Sequence, residues 1–126
     1  MRSAIRGVKK IQNMYNYQKS WGQDAINSVW NTGKTVNGWD PSIFRLDSFN
    51  AIIQKSEYGQ TQNETGYGWE IDHIIPESRG GNDNLSNLRP LQWANNRAKG
   101  DRLDGNWKPA IRAVKSADGR WINAKI

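Results

Sequence analysis

The sequence predicts a small α+β domain. Short helix-like and strand-like stretches follow one another, separated by loops rich in Gly, Asn, Asp and Ser. The 126 residues suffice for one small domain with an arm. Hydrophobic residues make up 36% of the chain and mean hydropathy is -0.89, so any core is modest. Seven Trp partly compensate, because each can bury a large apolar area.

Residues 1–20 place Ile5, Val8, Ile11 and Met14 or Tyr15 at three-to-four spacing, which predicts a basic N-terminal helix or arm. Gln23 to Trp30 reads as a short helix with Ala25, Val29 and Ile26 facing inward, ending at Asn31-Thr32-Gly33. Gly33, Gly38 and Pro41 make 33–43 a loop. Asp47 to Gln54 and Tyr67 to Ile75 are the strand candidates, joined by the turn-rich linker SEYGQTQNETG. Pro76 to Ser86 is too rich in Gly, Asn, Asp and Ser for regular structure. Asn87 to Lys99 reads as a helix with Ser86 as N-cap and Pro90 in its first turn. Leu88, Leu91 and Ala94 or Asn95 would form its inner face, and Gly100 its stop. Beyond Pro109 the chain predicts a hairpin around Ala117-Asp118-Gly119. The expected organisation is an arm at 1–20 and a single domain at 21–126.

Charge is unevenly spread. Residues 1–20 hold five Lys/Arg and no acid, 97–126 hold eight bases and three acids, and 21–96 hold five bases and nine acids. Basic ends around an acidic centre suit a polyanion gripped at its flanks, with carboxylates gathering a cation between. The simpler reading makes the termini solubilising. There is no Cys, so disulfides and a zinc ribbon are excluded. No apolar run reaches membrane-span length and no signal-peptide hydrophobic stretch is seen, so a cytoplasmic protein is expected, or an effector delivered without such a signal.

The one histidine, His73, lies in Trp69-Glu70-Ile71-Asp72-His73-Ile74-Ile75-Pro76. A single imidazole rules out a histidine pair or a multi-histidine metal cage. It also makes His73 the natural proton carrier near neutral pH. Asp72 offers a hard carboxylate oxygen suited to Mg²⁺ or Mn²⁺. Adjacent strand residues face opposite sides, so the two converge only where the strand ends or twists.

The stretch IDHIIPESRGGNDNLSNLRPLQWANNRAKGD resembles the core motif of HNH endonucleases: DHI-x-P, GG, NL-x-x-L and N-R-x-K-G occur in order. The resemblance spans about residues 69–101 and implies a ββα-metal core at about 69–100, with flanking helices and the C-terminal hairpin around it. It implies His73 as general base, Asn87 as the asparagine that orients it, and Asp72 and Asn96 as metal ligands. Lys99 falls where related motifs carry a basic residue near the scissile phosphate. Where many such domains place CxxC pairs holding zinc, this chain has none, which implies a zinc-free scaffold packed by Trp69, Trp93 and Leu91.

The implied activity is metal-dependent endonuclease cleavage of DNA, duplex DNA in particular, with Mg²⁺ preferred and Mn²⁺ an alternative. Arg79, Arg89, Arg97 and Arg102 are the candidate phosphate contacts. Glu70 reads better as half of a cross-strand ion pair than as a ligand, and Gly80-Gly81 as a conformational need of the loop rather than a phosphate cradle. Rival readings are a nuclease toxin or effector acting on DNA or RNA, with an immunity protein as partner, a catalytically silent nucleic-acid-binding module, and a phage packaging component. Oligomeric state and base specificity are not encoded legibly.

Overall fold

The computed structural model describes residues 19–126. The helix or arm expected at 1–20 therefore lies, apart from its last two residues, outside the described part. The described chain is a small mixed α/β assembly of two α-helices and, among the described residues, three two-stranded antiparallel sheets. Helix α1 spans Gln23–Trp30. Strands β1 (Phe44–Leu46) and β2 (Ile52–Gln54) form the first sheet, β3 (Trp69–His73) and β4 (Leu88–Gln92) the second. Helix α2 (Trp93–Lys99) follows β4 directly, and β5 (Ile111–Lys115) pairs with β6 (Trp121–Lys125) in the third. No helix among the described residues is long and apolar enough to cross a membrane.

Helix α1 occupies the predicted span, buries Val29 and Trp30, and closes with the Asn31 amide donating to the Asn27 carbonyl at 3.1 Å. The expected strand 47–54 is only partly strand. Asp47 Oδ1 accepts from the amides of Phe49 and Ala51, each at 2.9 Å, so a carboxylate-closed turn replaces the first five residues. Asn50, at φ 68, completes that turn.

A second correction concerns 87–99. Leu88 to Gln92 pairs with β3 over five residues, and only Trp93 to Lys99 is helical. The Leu88–Leu91 spacing fits a helix, but pairing with β3 hides both leucines, and tertiary context prevails over local pattern. The cap is correspondingly Gln92 rather than Ser86: its Oε1 accepts from the amides of Ala94 (2.8 Å) and Asn95 (3.1 Å). Gly100 ends the helix, as expected.

The main core joins Val29, Trp30, Ile53, Trp69, Ile71 and Leu88, with Trp21, Ile26 and Tyr58 packed on its edge. A smaller cluster joins Ala51, Ala94 and Ile111. Buried polar side chains link the sheets that these clusters are too small to hold. Asp47 Oδ2 accepts from the Gln92 amide and from Asn95 Nδ2, while Asn95 Oδ1 accepts from Ala110 and Ile111. Asn123 bonds both main-chain groups of Ile52. Each hub is fully satisfied, which is what lets polar groups sit in a core at all.

Candidate functional site

Strand β3 divides the site into two faces. Trp69 and Ile71 sit in the main core, and His73 shares their side of the strand. Glu70 and Asp72 point to the other side, against α2. Asp72 and His73 thus stay apart, as period-two geometry demands.

On the helix face, Asp72 is buried between two cations. Its Oδ2 accepts from Arg89 Nε at 2.8 Å, and its Oδ1 lies 3.0 Å from Lys99 Nζ. Arg89 stands directly opposite Asp72 in the β3–β4 register. Its two terminal nitrogens grip Asp104, each at 2.8 Å, and its guanidinium lies over the Phe49 ring. Burial pushes the Asp72 carboxyl above its ordinary range, against the pull of Lys99 and Arg89. The hydrogen bond from Arg89 holds Asp104 below its own range. Lys99 also donates to the His73 carbonyl at 2.8 Å, so one ammonium ties helix to strand end. Glu70 faces α2, accepting from Asn96 Nδ2 at 2.9 Å and from Arg97. It is not a cross-strand pair, because its register partner is Leu91.

On the loop face, His73 Nε2 lies 2.7 Å from Asp83 Oδ1, and the ring sits 5.8 Å from that of Trp21. Lys19 Nζ bridges Asp83 and Glu77 at 2.7 to 2.9 Å. The His73 contact, then Lys19, holds the Asp83 carboxyl below its ordinary value. The loop owes its shape to Asn87. The Asn87 Oδ1 accepts from the Ile75 amide (2.8 Å), and Nδ2 donates to the carbonyls of Ile75 (3.0 Å) and Asn82 (2.9 Å). Gly80 takes φ 93, and a Cβ on Gly81 would fall 1.7 Å from the Ile75 oxygen. Both glycines are therefore conformational requirements.

The structure thus gathers His73 and Asn87 in one loop and Asp72, Lys99 and Arg89 in one buried network. Among the arginines read as phosphate contacts, Arg89 is turned inward and Arg97 is spent on Glu70. Arg79 and Arg102 are exposed, donating to the carbonyls of Asp101 and Ala98. Asp83 and Glu77 were not among the residues singled out from sequence. Only the loop fold brings them to His73, and no spacing rule announces it.

Two donor sets compete for a divalent cation. Asp72 and Asn96 do not fit one as arranged, since Asp72 already carries two buried cations and a dication would enter beside them. His73, Glu77 and Asp83 do fit in donor chemistry: their ligand atoms lie within 4.8 Å of one another, one imidazole nitrogen with two carboxylate oxygens.

Comparison with protein families matches residues 55–102 to the HNH endonuclease model. Comparison with curated proteins and with solved structures gives no match. The matched segment begins upstream of β3 and ends just after α2, so it contains both faces of the site. Residues 55–102 are thus similar to the HNH endonuclease family, a likeness that covers less than half of the chain and suggests nuclease activity in general terms.

Proposed function

We propose that this chain is an endonuclease hydrolysing phosphodiester bonds of DNA, with His73 as the general base. The observation that carries the reading is the His73–Asp83 contact inside the family-matched segment. With its proton on Nε2, the imidazole donates to Asp83 and keeps Nδ1 as acceptor. The carboxylate then fixes the ring and stabilises the imidazolium formed on proton uptake.

His73 takes a proton from water as the water oxygen bonds to phosphorus. The bond from phosphorus to the 3′ oxygen breaks, solvent protonates the released alkoxide, and a 5′-phosphate and a 3′-hydroxyl result. Asn87 is a positioning residue, since it closes the loop that carries Asp83. Lys99 positions as well: it is buried and holds the His73 carbonyl. Arg79 and Arg102 are the proposed contacts to flanking phosphates.

HNH nucleases generally use a divalent metal, and Mg²⁺ is the ion proposed, with Mn²⁺ the alternative. Such an ion offsets charge on the phosphate oxygens. The motif assigns it to Asp72 and Asn96, which requires Lys99 to leave Asp72. A second reading rests on the convergence of His73, Glu77 and Asp83. There the ion would replace both the Lys19 contacts and the His73–Asp83 hydrogen bond, and His73 would be a ligand instead of a base.

Plasmid cleavage with and without EDTA tests the activity. His73→Ala should lower the rate about 10²- to 10⁴-fold. Full cleavage by that variant overturns the base assignment. Calorimetric titration with Mn²⁺ separates the metal readings: the motif set predicts lost binding in Asp72→Asn and retained binding in Glu77→Gln, and the loop set predicts the reverse.

A further inference from the structure

Away from the His73 loop, a cleft of about 510 Å³ opens between the β1–β2 sheet and the turn of the third sheet. Trp39, Phe44, Tyr67 and Trp121 line it with Ile43, Arg120 and Asp40, whose Oδ1 accepts from the Ser42 amide and hydroxyl. Three of its aromatics interlock edge to face: Trp39 meets Phe44 at 6.3 Å and 67°, and Phe44 meets Tyr67 at 5.8 Å and 90°. Trp121 and Ile43 remain 47% and 44% exposed, so the apolar lining faces solvent. Of the seven Trp, Trp30 and Trp69 serve the core, while Trp39 and Trp121 present carbon surface to a cleft.

Charge decides what that surface suits. The β5–β6 segment, residues 110–126, has four Lys/Arg and one acid. Lys115 Nζ stands over the Trp121 ring at 5.5 Å, and Arg120 is largely exposed beside it, paired only with an exposed Asp118. Aromatic faces flanked by exposed cations match a ligand with one flat π-face and an adjoining phosphate. The volume falls in the range of small-ligand sites, about 300–1,000 Å³, and so admits a base with its sugar. A base stacked within a duplex has no free face to offer. One outside a duplex does.

We propose that this cleft binds an unpaired nucleobase of a single-stranded nucleic acid, stacked on Trp121 and Trp39 with its phosphate on Arg120 and Lys115. The inference leans on the nuclease reading only for the polymer's identity, and it makes strands with unpaired segments the preferred ligands. The same chemistry is offered by DNA and RNA.

Fluorescence anisotropy of the full chain in EDTA, where cleavage does not interfere, tests it with labelled (dT)12, (rU)12 and a 12-base-pair duplex. Trp121→Ala and Trp39→Ala should weaken the better single strand roughly 5- to 100-fold, the range expected for one stacked base. Duplex affinity should stay within about twofold, and Trp121→Phe should restore most single-strand binding. The tighter of (dT)12 and (rU)12 identifies the sugar. Unchanged single-strand affinity in both alanine variants overturns the proposal, as does an equal fall for duplex. Self-association of the wild type that Trp121→Ala abolishes, without change in oligonucleotide binding, also overturns it and assigns the cleft to a second copy. Because no step requires cleavage, failure here leaves the His73 assignment untouched, and an inactive wild type leaves this one testable.

Discussion

Lys99 shows how a side chain that stands out in the sequence can take an unexpected place in the fold. Its position in N-R-x-K-G suggests a cation at the surface of a phosphate site, yet it is 1% exposed and bonds only inward, to Asp72 and to the His73 carbonyl. A buried ammonium costs several kcal/mol of desolvation unless paired, and here two oxygens repay it. Lys99→Met removes one of the two cations from a buried carboxylate. The expected loss of stability is about 3 kcal/mol, read as a lower denaturation midpoint with an unchanged slope. A loss under about 0.5 kcal/mol would mean that Arg89 alone suffices for Asp72. In the sequence, Asp72, His73, Asn87, Asn96 and Lys99 stand out in the motif. Their partners do not. Asp83 reaches His73 only because Asn87 ties Ile75 to Asn82, a folded-state fact with no periodic trace.

At the level of elements, the boundary between β4 and α2 is the instructive one. Sequence periodicity ran a single helix from Asn87 to Lys99, because Leu88 and Leu91 are three apart and Pro90 is tolerated early in helices. In the fold Pro90 sits in a two-stranded sheet, where every strand is an edge and a missing amide can be left outward. Helix α1 was legible since no competing strand claims its apolar residues. Gln92 marks the true start of α2: it caps two amides with its oxygen while its Nε2 donates to the carbonyls of Glu64 and Gly66. Gln92→Ala strips the cap and removes the Gln92 donor from both carbonyls, leaving Gly66 with Asn123 Nδ2. Stability should fall by about 2 kcal/mol, a drop of several degrees in Tm for a chain this size. Gln92→Glu keeps the accepting oxygen and should preserve more of the helix signal in circular dichroism than the alanine variant does.

For the whole molecule, charge sets both the acid limit of the fold and its grip on a polyanion. Asp104 is held below its ordinary value by Arg89, so the folded state prefers its ionised form. A carboxyl depressed in this way stabilises the fold fully above its unfolded pKa of about 3.9, and the contribution disappears as pH falls through the lower folded value. Tm should therefore decline below about pH 4, and Asp104→Asn should flatten that decline. The basic ends act on a different quantity. Arg79 and Arg102 are exposed, residues 110–126 carry four bases to one acid, and residues 1–20 add five bases with no acid. If about four of these neutralise phosphates, log affinity for duplex DNA should fall with log salt at a slope of roughly -3.6. Raising salt from 50 to 200 mM then weakens binding about 150-fold. Arg79→Ala and Arg102→Ala should each reduce the slope by about one while leaving Tm nearly unchanged, since both side chains are exposed. A slope near zero would show that duplex affinity is not phosphate-led, and would overturn the grip assigned to the basic ends.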